Sequence, residues 1–133
     1  MVILRQLENY LEKLSNILAP DLDEYLISLQ NRLATERLLQ LAIECIIDVC
    51  AILAKDLHLG PPQNEDNLLE LLSGKLTNVE ILKQMKRFRN ILVHRYGEID
   101  DRLVYQFASE QTSDFEQFIQ EVEEIIKNLE KIQ

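Results

Sequence analysis

RLLQLAIECIIDVCAILAK, residues 37–55, is apolar around most of the circumference of a helix drawn through it. A helix of this kind is usually buried on two sides, so the segment predicts a central helix that other helices surround. One polar stripe remains at helical spacing, and it is either solvated or turned towards a partner. Its members are Arg37, Gln40, Glu44, Asp48 and Lys55.

Amphipathic helices are predicted on the N-terminal side of this segment. Five leucines between positions 4 and 18 recur at spacings of three and four, which is one face of a helix, and Pro20 ends it. No strong breaker occurs from Asp21 to about Leu59. We therefore expect either one long helix or two helices with a bend near Asn31, terminated by the Gly-Pro-Pro of residues 60–62.

The second half of the chain predicts further helices. A short helix is expected over residues 65–72, and a capping box of Thr77 with Glu80 starts the next one, which runs to about Arg95. Another short helix is expected over residues 100–108. The last segment has an apolar face that packs either into the core or against another chain, formed by Phe115, Phe118, Val122, Ile125, Leu129 and Ile132. The prediction is one all-α domain over residues 1–133, a bundle of about five or six helices.

Composition limits the classes of function. The formal net charge of −9 argues against a general nucleic-acid coat protein, because phosphate backbones repel it, and favours a narrow substrate range if RNA is bound. Cys45 and Cys50 lie about 140° apart around a helix, which predicts two buried thiols and no zinc site. Reduced thiols and the lack of a signal peptide or spanning segment predict a cytoplasmic protein with no membrane association.

One predicted helix concentrates basic residues on the side opposite its apolar face. Its line of residues has spacings of four, three and four, so they share one face of the helix. Lys and Arg bind phosphate, and histidine has the unperturbed pKa closest to neutral. From the spacing alone, this basic strip is either a solvated face or an anion-binding surface. It consists of Lys83, Arg87, Asn90 and His94, flanked by Lys86 and Arg89.

The strip contains the groups that metal-free RNA cleavage needs. His94 can move a proton to or from the ribose, Asn90 can orient the imidazole or touch a sugar hydroxyl, and an arginine can stabilise charge on the phosphoryl group. On an ideal helix, however, Arg89 and His94 point about 140° apart. One chain also supplies only one histidine there. Separate acid and base roles would therefore need a dimer with the site across its interface.

The octet RNILVHRY, Arg89 to Tyr96, resembles the motif of the HEPN superfamily, an Arg and often a polar residue followed by His. It is more closely similar to the R-x4-H-x-Y form of HepT toxins, as are the segments RFRNILVHRYGEID and ERLLQLAIECIIDVCAIL. The resemblance covers nearly the whole chain. It implies a HEPN-type bundle that forms a homodimer, and a metal-independent ribonuclease without a cofactor. Its catalytic residues would be Arg89, Asn90 and His94.

The resemblance also implies a partner protein and a means of control. HepT toxins are neutralised by an MntA-type minimal nucleotidyltransferase, which transfers AMP to the motif tyrosine, here Tyr96. RNA would be bound by the remaining basic residues, Lys83, Lys86, Arg87 and Arg95. Two other interpretations stay open. One is a non-catalytic helical subunit that presents substrate or nucleotide to a nucleotidyltransferase, and the other is a structural bundle with a solvated polar strip.

Overall fold

Seven α-helices and no strand occur in residues 1–94 and 99–132, the ranges that this computed structural model describes. None of these described helices is long and apolar enough to cross a membrane. The predicted all-α class is confirmed, whereas the predicted count of five or six helices is too low. The helices are α1 Val2–Ile17, α2 Leu22–Ile27, α3 Leu29–Asp56, α4 Glu65–Leu71, α5 Val79–His94, α6 Asp101–Glu110 and α7 Thr112–Ile132.

A break at Ser28 separates α2 from α3. Ser28 has extended backbone, and its hydroxyl accepts a hydrogen bond of 3.1 Å from the backbone N–H of Asn31, which caps α3. The Asn31 side chain in turn accepts from the backbone N–H of Ala19 at 3.1 Å and donates to the carbonyl of Ile17. The start of α3 is thereby tied to the end of α1. The sequence allowed either one long helix or two helices here, and the structure has two. The break at Ser28 lies three residues before Asn31.

α3 is the central helix, as its apolar circumference predicts. Eleven of its residues are buried, and it contacts α1, α2, α4, α5 and α6. Cys45 and Cys50 are both buried and unbridged, as expected. Burial raises the pKa of the Cys50 thiol to about 12, so this thiol stays protonated at neutral pH.

The short helix α4 is held against the bundle by leucines. Leu68, Leu69 and Leu72 are buried, and Asn64 caps the helix by accepting a 2.8 Å hydrogen bond from the N–H of Asn67. These contacts anchor both ends of a helix that is too short to be stable alone. α4 packs against α3 and α5, so its polar residues are held at a fixed place beside the basic strip.

α5 turns the predicted apolar face into the bundle. Met85 and Leu92 are buried, and Phe88 stacks on Phe107 of α6 with ring centroids 4.4 Å apart. The same helix also contacts α3 and α4. Its polar residues are therefore left with one flank beside α4 and one flank open to solvent.

The predicted capping box of Thr77 and Glu80 is wrong. α5 begins at Val79, and the carbonyl of Asn78 accepts its first hydrogen bond from the next turn. Thr77 instead donates to the carboxylate of Glu121 in α7, from its backbone N–H at 2.7 Å and its hydroxyl at 3.0 Å. A distant carboxylate thus takes the role that the local sequence assigned to Glu80.

The apolar face of α7 packs into the core over its first half. Phe115, Phe118 and Val122 are buried, while Ile125 and Leu129 are only partly buried. The core interpretation is therefore confirmed for the first three residues of this face. Beyond Val122, α7 continues along the bundle and its apolar face is less buried.

Two leucines of α3 provide a test of this packing. Leu53 is fully buried, whereas Leu33 is 56% exposed. We expect Leu53→Ala to lower the free energy of unfolding by about 2–5 kcal/mol, because it leaves a cavity in a close-packed core. Leu33→Ala should cost less than about 1 kcal/mol. Urea unfolding followed by circular dichroism measures both, and equal losses would contradict the difference in burial.

Candidate functional site

The polar residues of α5 divide between two flanks. Arg87, Ile91 and His94 are exposed on the open flank, with Ile91 42% exposed despite its apolar side chain. Lys83, Lys86 and Arg89 are partly buried against α4, and Asn90, partly buried as well, belongs to the same polar surface. The basic strip therefore does not form one free surface, and its two flanks meet different surroundings.

Three carboxylates of α4 pair with three cations of α5. Lys83 Nζ lies 3.0 Å from Glu70, Lys86 Nζ lies 2.9 Å from Asp66, and Arg89 Nη2 lies 2.6 Å from Glu65. The order along one helix is the reverse of the order along the other, as in antiparallel packing. Below, the three carboxylates Glu65, Asp66 and Glu70 are called the acidic row. A fourth cation, Arg87, pairs with Glu80 of its own helix at 3.3 Å.

Two of these ion pairs each shift the pKa of one group so that its charged form is favoured. The hydrogen bond from Lys86 holds the pKa of the Asp66 carboxyl below its ordinary value. The hydrogen bond to Glu70 raises the pKa of Lys83 above its ordinary value. Both shifts favour the charged form of the group, the carboxylate of Asp66 and the ammonium of Lys83. Much of the positive charge that the sequence concentrates on α5 is balanced locally, which the spacing within α5 alone does not reveal.

Arg89 and Asn90 are in direct contact. Nε of Arg89 donates to Oδ1 of Asn90 at 3.0 Å, while Nη2 donates to Glu65. Asn90 lies four residues before His94, which is one helical turn. The bond to Asn90 therefore draws the guanidinium towards the face that carries the imidazole. His94 is the last residue of α5 that the structure describes.

The predicted site residues have different positions in the structure. Arg89 and Asn90 form the hydrogen-bonded pair, His94 follows one turn later, and the lysines lie further back along the helix. Arg95 and Tyr96 lie outside the described residues, so their roles stay predictions. Within residues 1–94 and 99–132, no group of three His, Cys, Asp or Glu side chains could hold a metal ion.

Sequence reasoning missed the acidic row. Glu65 and Asp66 occupy the first turn of α4, where acidic residues ordinarily favour the helix dipole and attract no further notice. Their partners lie 24 and 20 residues away along the chain. The available signal was the reversed spacing of acids and bases on two consecutive predicted helices.

Comparison with known proteins gives consistent matches. The profile of the ribonuclease HepT-like family matches residues 7–122, which include α3, α4 and α5 completely. The chain is 31% identical over 127 residues to the tRNA nuclease HepT of Aphanizomenon flos-aquae, covering 92% of this chain and 84% of that protein. It is 34% identical over 85 residues to the mRNA nuclease HepT of Shewanella oneidensis, covering 61% of this chain and 64% of that protein.

Solved structures resemble the fold. One is the tri-AMPylated HEPN toxin of Shewanella oneidensis in complex with MNT antitoxin, with a TM-score of 0.83 and 24% identity over 91% of this chain and 93% of that one. Another is a toxin–antitoxin complex with AMP-PNP, with a TM-score of 0.82 and 23% identity over 90% of this chain and 94% of that one. At these identities the likeness shows the fold alone.

The contact between α4 and α5 can be tested without any substrate. In a double-mutant cycle of Asp66→Asn and Lys86→Met, we expect a small favourable coupling free energy at low salt, because half of the Asp66 side chain is exposed. The coupling should shrink in 1 M NaCl as the charges are screened. Urea unfolding of the four proteins measures it. A coupling indistinguishable from zero at low salt would mean that the ion pair does not form in solution.

Proposed function

Because this chain belongs to the ribonuclease HepT-like family, we propose that it is the toxin of a HepT/MntA-type pair and a metal-independent endoribonuclease. The observation that carries the proposal is the hydrogen bond between Arg89 and Asn90, one helical turn before His94. This arrangement lies inside the segment that matches the family. It provides a phosphate-binding group, an orienting amide and a proton-transfer group on one helix end.

The proposed reaction is attack of the ribose 2′-oxygen on the adjacent phosphorus. The bond from phosphorus to the 5′-oxygen breaks, which leaves a 2′,3′-cyclic phosphate and a 5′-hydroxyl. A base accepts the proton of the 2′-hydroxyl, and an acid gives a proton to the departing oxygen. One His94 cannot readily do both at once on opposite sides of the phosphorus. We therefore include a homodimer in the proposal, in which a second copy supplies the second imidazole.

Arg89 has donors to spare for the phosphate. A guanidinium carries five N–H groups, of which one is given to Asn90 and one to Glu65. The remaining three can bind non-bridging oxygens, where negative charge grows during the reaction. Arg87 and Arg95 would hold neighbouring phosphates. Lys83 and Lys86 would do so only by exchanging their carboxylate partners for phosphate, which supports a narrow choice of RNA.

The proposed control is transfer of AMP to Tyr96 by an MntA-like minimal nucleotidyltransferase. Tyr96 follows His94 by two residues, so a nucleotidyl group there would stand beside the proposed site. The added phosphate would repel RNA phosphate, and the nucleoside would occupy space. The solved neighbour that is tri-AMPylated and bound to an antitoxin supports this proposal by its fold. Action in the cytoplasm is part of the same proposal.

The activity is tested with purified, unmodified protein and total cellular RNA in the presence of EDTA. We expect the parent to cleave RNA and His94→Ala to lose about 10²–10⁴-fold in rate, because the proton-transfer group is gone. His58→Ala is the matched control, since it removes the chain's other histidine, which is exposed in the loop after α3. It should cleave at the parent's rate.

Inactivity of the parent protein, with mass spectrometry confirming that Tyr96 is unmodified, would contradict the proposed ribonuclease activity. The alternative is the non-catalytic subunit of a nucleotidyltransferase. The balanced charges of α5 favour this alternative, because they leave less free positive charge for RNA. Copurification with a nucleotidyltransferase, without cleavage, would support it.

The control at Tyr96 is tested by RNA affinity. We expect AMP-modified protein to bind a 2′-O-methyl RNA at least about 10-fold more weakly than unmodified protein, a difference of about 1.4 kcal/mol. Fluorescence anisotropy measures the affinity. Tyr96→Phe, treated with the same nucleotidyltransferase and ATP, is the control and should gain no mass and keep its affinity. Equal affinities before and after modification would reject this explanation of control.

A further inference from the structure

Glu65 differs from the other two carboxylates of the acidic row because its partner is an arginine and theirs are lysines. We infer that Glu65 is a positioning residue for Arg89, fixing the direction of its guanidinium for the phosphate; the inference rests on the proposed ribonuclease function. Nη2 of Arg89 donates to Glu65 at 2.6 Å, and Nε donates to Asn90 at 3.0 Å. Two acceptors on two different helices thus hold one planar group.

The two acceptors together fix more than either does alone. Asn90 alone would leave the guanidinium plane free to rotate about the axis of the hydrogen bond from Nε, since one contact does not set a plane. The second contact at Nη2 sets the plane and leaves the edge with Nη1 for a phosphate. Only 14% of the Arg89 side chain is exposed, so the group has little other freedom.

Glu65 is well placed to serve as a fixed point. It is the first residue of α4, directly after the cap residue Asn64, and the buried Leu68 and Leu69 follow within the same helix. The carboxylate therefore stands on a backbone that is capped and packed. A side chain on a loose loop would pass its own motion to the arginine.

The other two carboxylates of the acidic row do not share this role. Asp66 and Glu70 pair with lysine ammonium groups, which donate through three rotating N–H groups and have no plane to fix. Their lysines also lie eight and eleven residues before His94, whereas Arg89 lies five before it. Glu70 is therefore a matched control on the same helix.

Positioning the guanidinium of Arg89 does not require the negative charge of Glu65. An arginine stays protonated at any pH at which the protein is folded, so Arg89 needs no carboxylate to keep its charge. The contribution of Glu65 is an acceptor oxygen at a fixed place, and glutamine also supplies one. Its negative charge opposes binding of an anionic substrate, so removing that charge should not weaken binding.

The kinetic test compares Glu65→Ala, Glu65→Gln and the control Glu70→Ala, with an RNA that the parent cleaves. Glu65→Ala should lower kcat by about 10–100-fold without raising KM, because a misdirected arginine harms the transition state more than binding. Glu65→Gln should retain kcat within about 3-fold, since its amide oxygen still accepts from Nη2. Glu70→Ala should keep the parent's kcat. Thermal unfolding of all three confirms that they are folded.

Other kinetic outcomes would overturn the inference. Parental kcat in Glu65→Ala would mean that Asn90 alone directs the guanidinium. A raised kcat would make Glu65 a competitor of the phosphate. Equal losses in Glu65→Ala and Glu70→Ala would show that the packing of α4 matters and that no single carboxylate does.

A measurement without substrate separates this inference from the proposed function. Nitrogen-15 relaxation of the Arg89 Nη–H groups, assigned with Arg89→Lys, should report the Nη2 group as rigid in the parent, in Glu65→Gln and in Glu70→Ala, and as mobile in Glu65→Ala. That pattern in a parent that cleaves no RNA would reject the ribonuclease and keep the positioning contact. A rigid Nη2 group in Glu65→Ala would overturn the inference whatever the activity.

Discussion

The burial of α3 constrains the position of every element near the site. This helix is apolar around most of its circumference, and five helices cover it. Because α4 and α5 both pack on it, their separation is set by leucine and methionine side chains and not by the charges between them. The hydrophobic effect supplies the free energy that holds the two helices together. The ion pairs then form between side chains that are already neighbours, which is why they can be specific while contributing little to stability.

This order of causes also explains how an acidic chain can carry a basic helix. With a net charge of −9, the chain has more carboxylates than it needs for pairing. The acidic row places three of them beside the cations of α5 and leaves Arg87, Ile91 and His94 exposed on the other flank. A phosphate backbone that approaches from the α4 side meets carboxylates, whereas one that approaches from the open flank meets a helix end with an exposed histidine. The charge pattern thus favours one direction of approach.

Helical spacing was sufficient to predict the central helix, the apolar faces and the segment with Arg89, Asn90 and His94. It failed where a distant residue competes with a local one. Thr77 has a glutamate three residues later, as a capping box requires, yet it bonds to Glu121, 44 residues away. Ser28 starts α3 with a hydroxyl cap, a weaker signal in sequence than a proline. Glu65 was missed for the same reason as Glu121: its role exists only after α4 has packed on α5, and no local pattern carries that information.

The geometry of α5 favours a second copy of the chain in the proposed mechanism. On an ideal helix Arg89 and His94 diverge by about 140°, and the contact with Asn90 reduces that divergence only by drawing the guanidinium across the polar surface. The resulting group of donors lies beside an exposed histidine and an exposed isoleucine. At an exposed surface water is free to solvate a bound phosphate, which weakens each electrostatic interaction with it. A second surface laid against this one would enclose the phosphate, exclude water and cover Ile91. A copy of the same chain would meet these needs and would also bring the second imidazole that the proposed reaction requires.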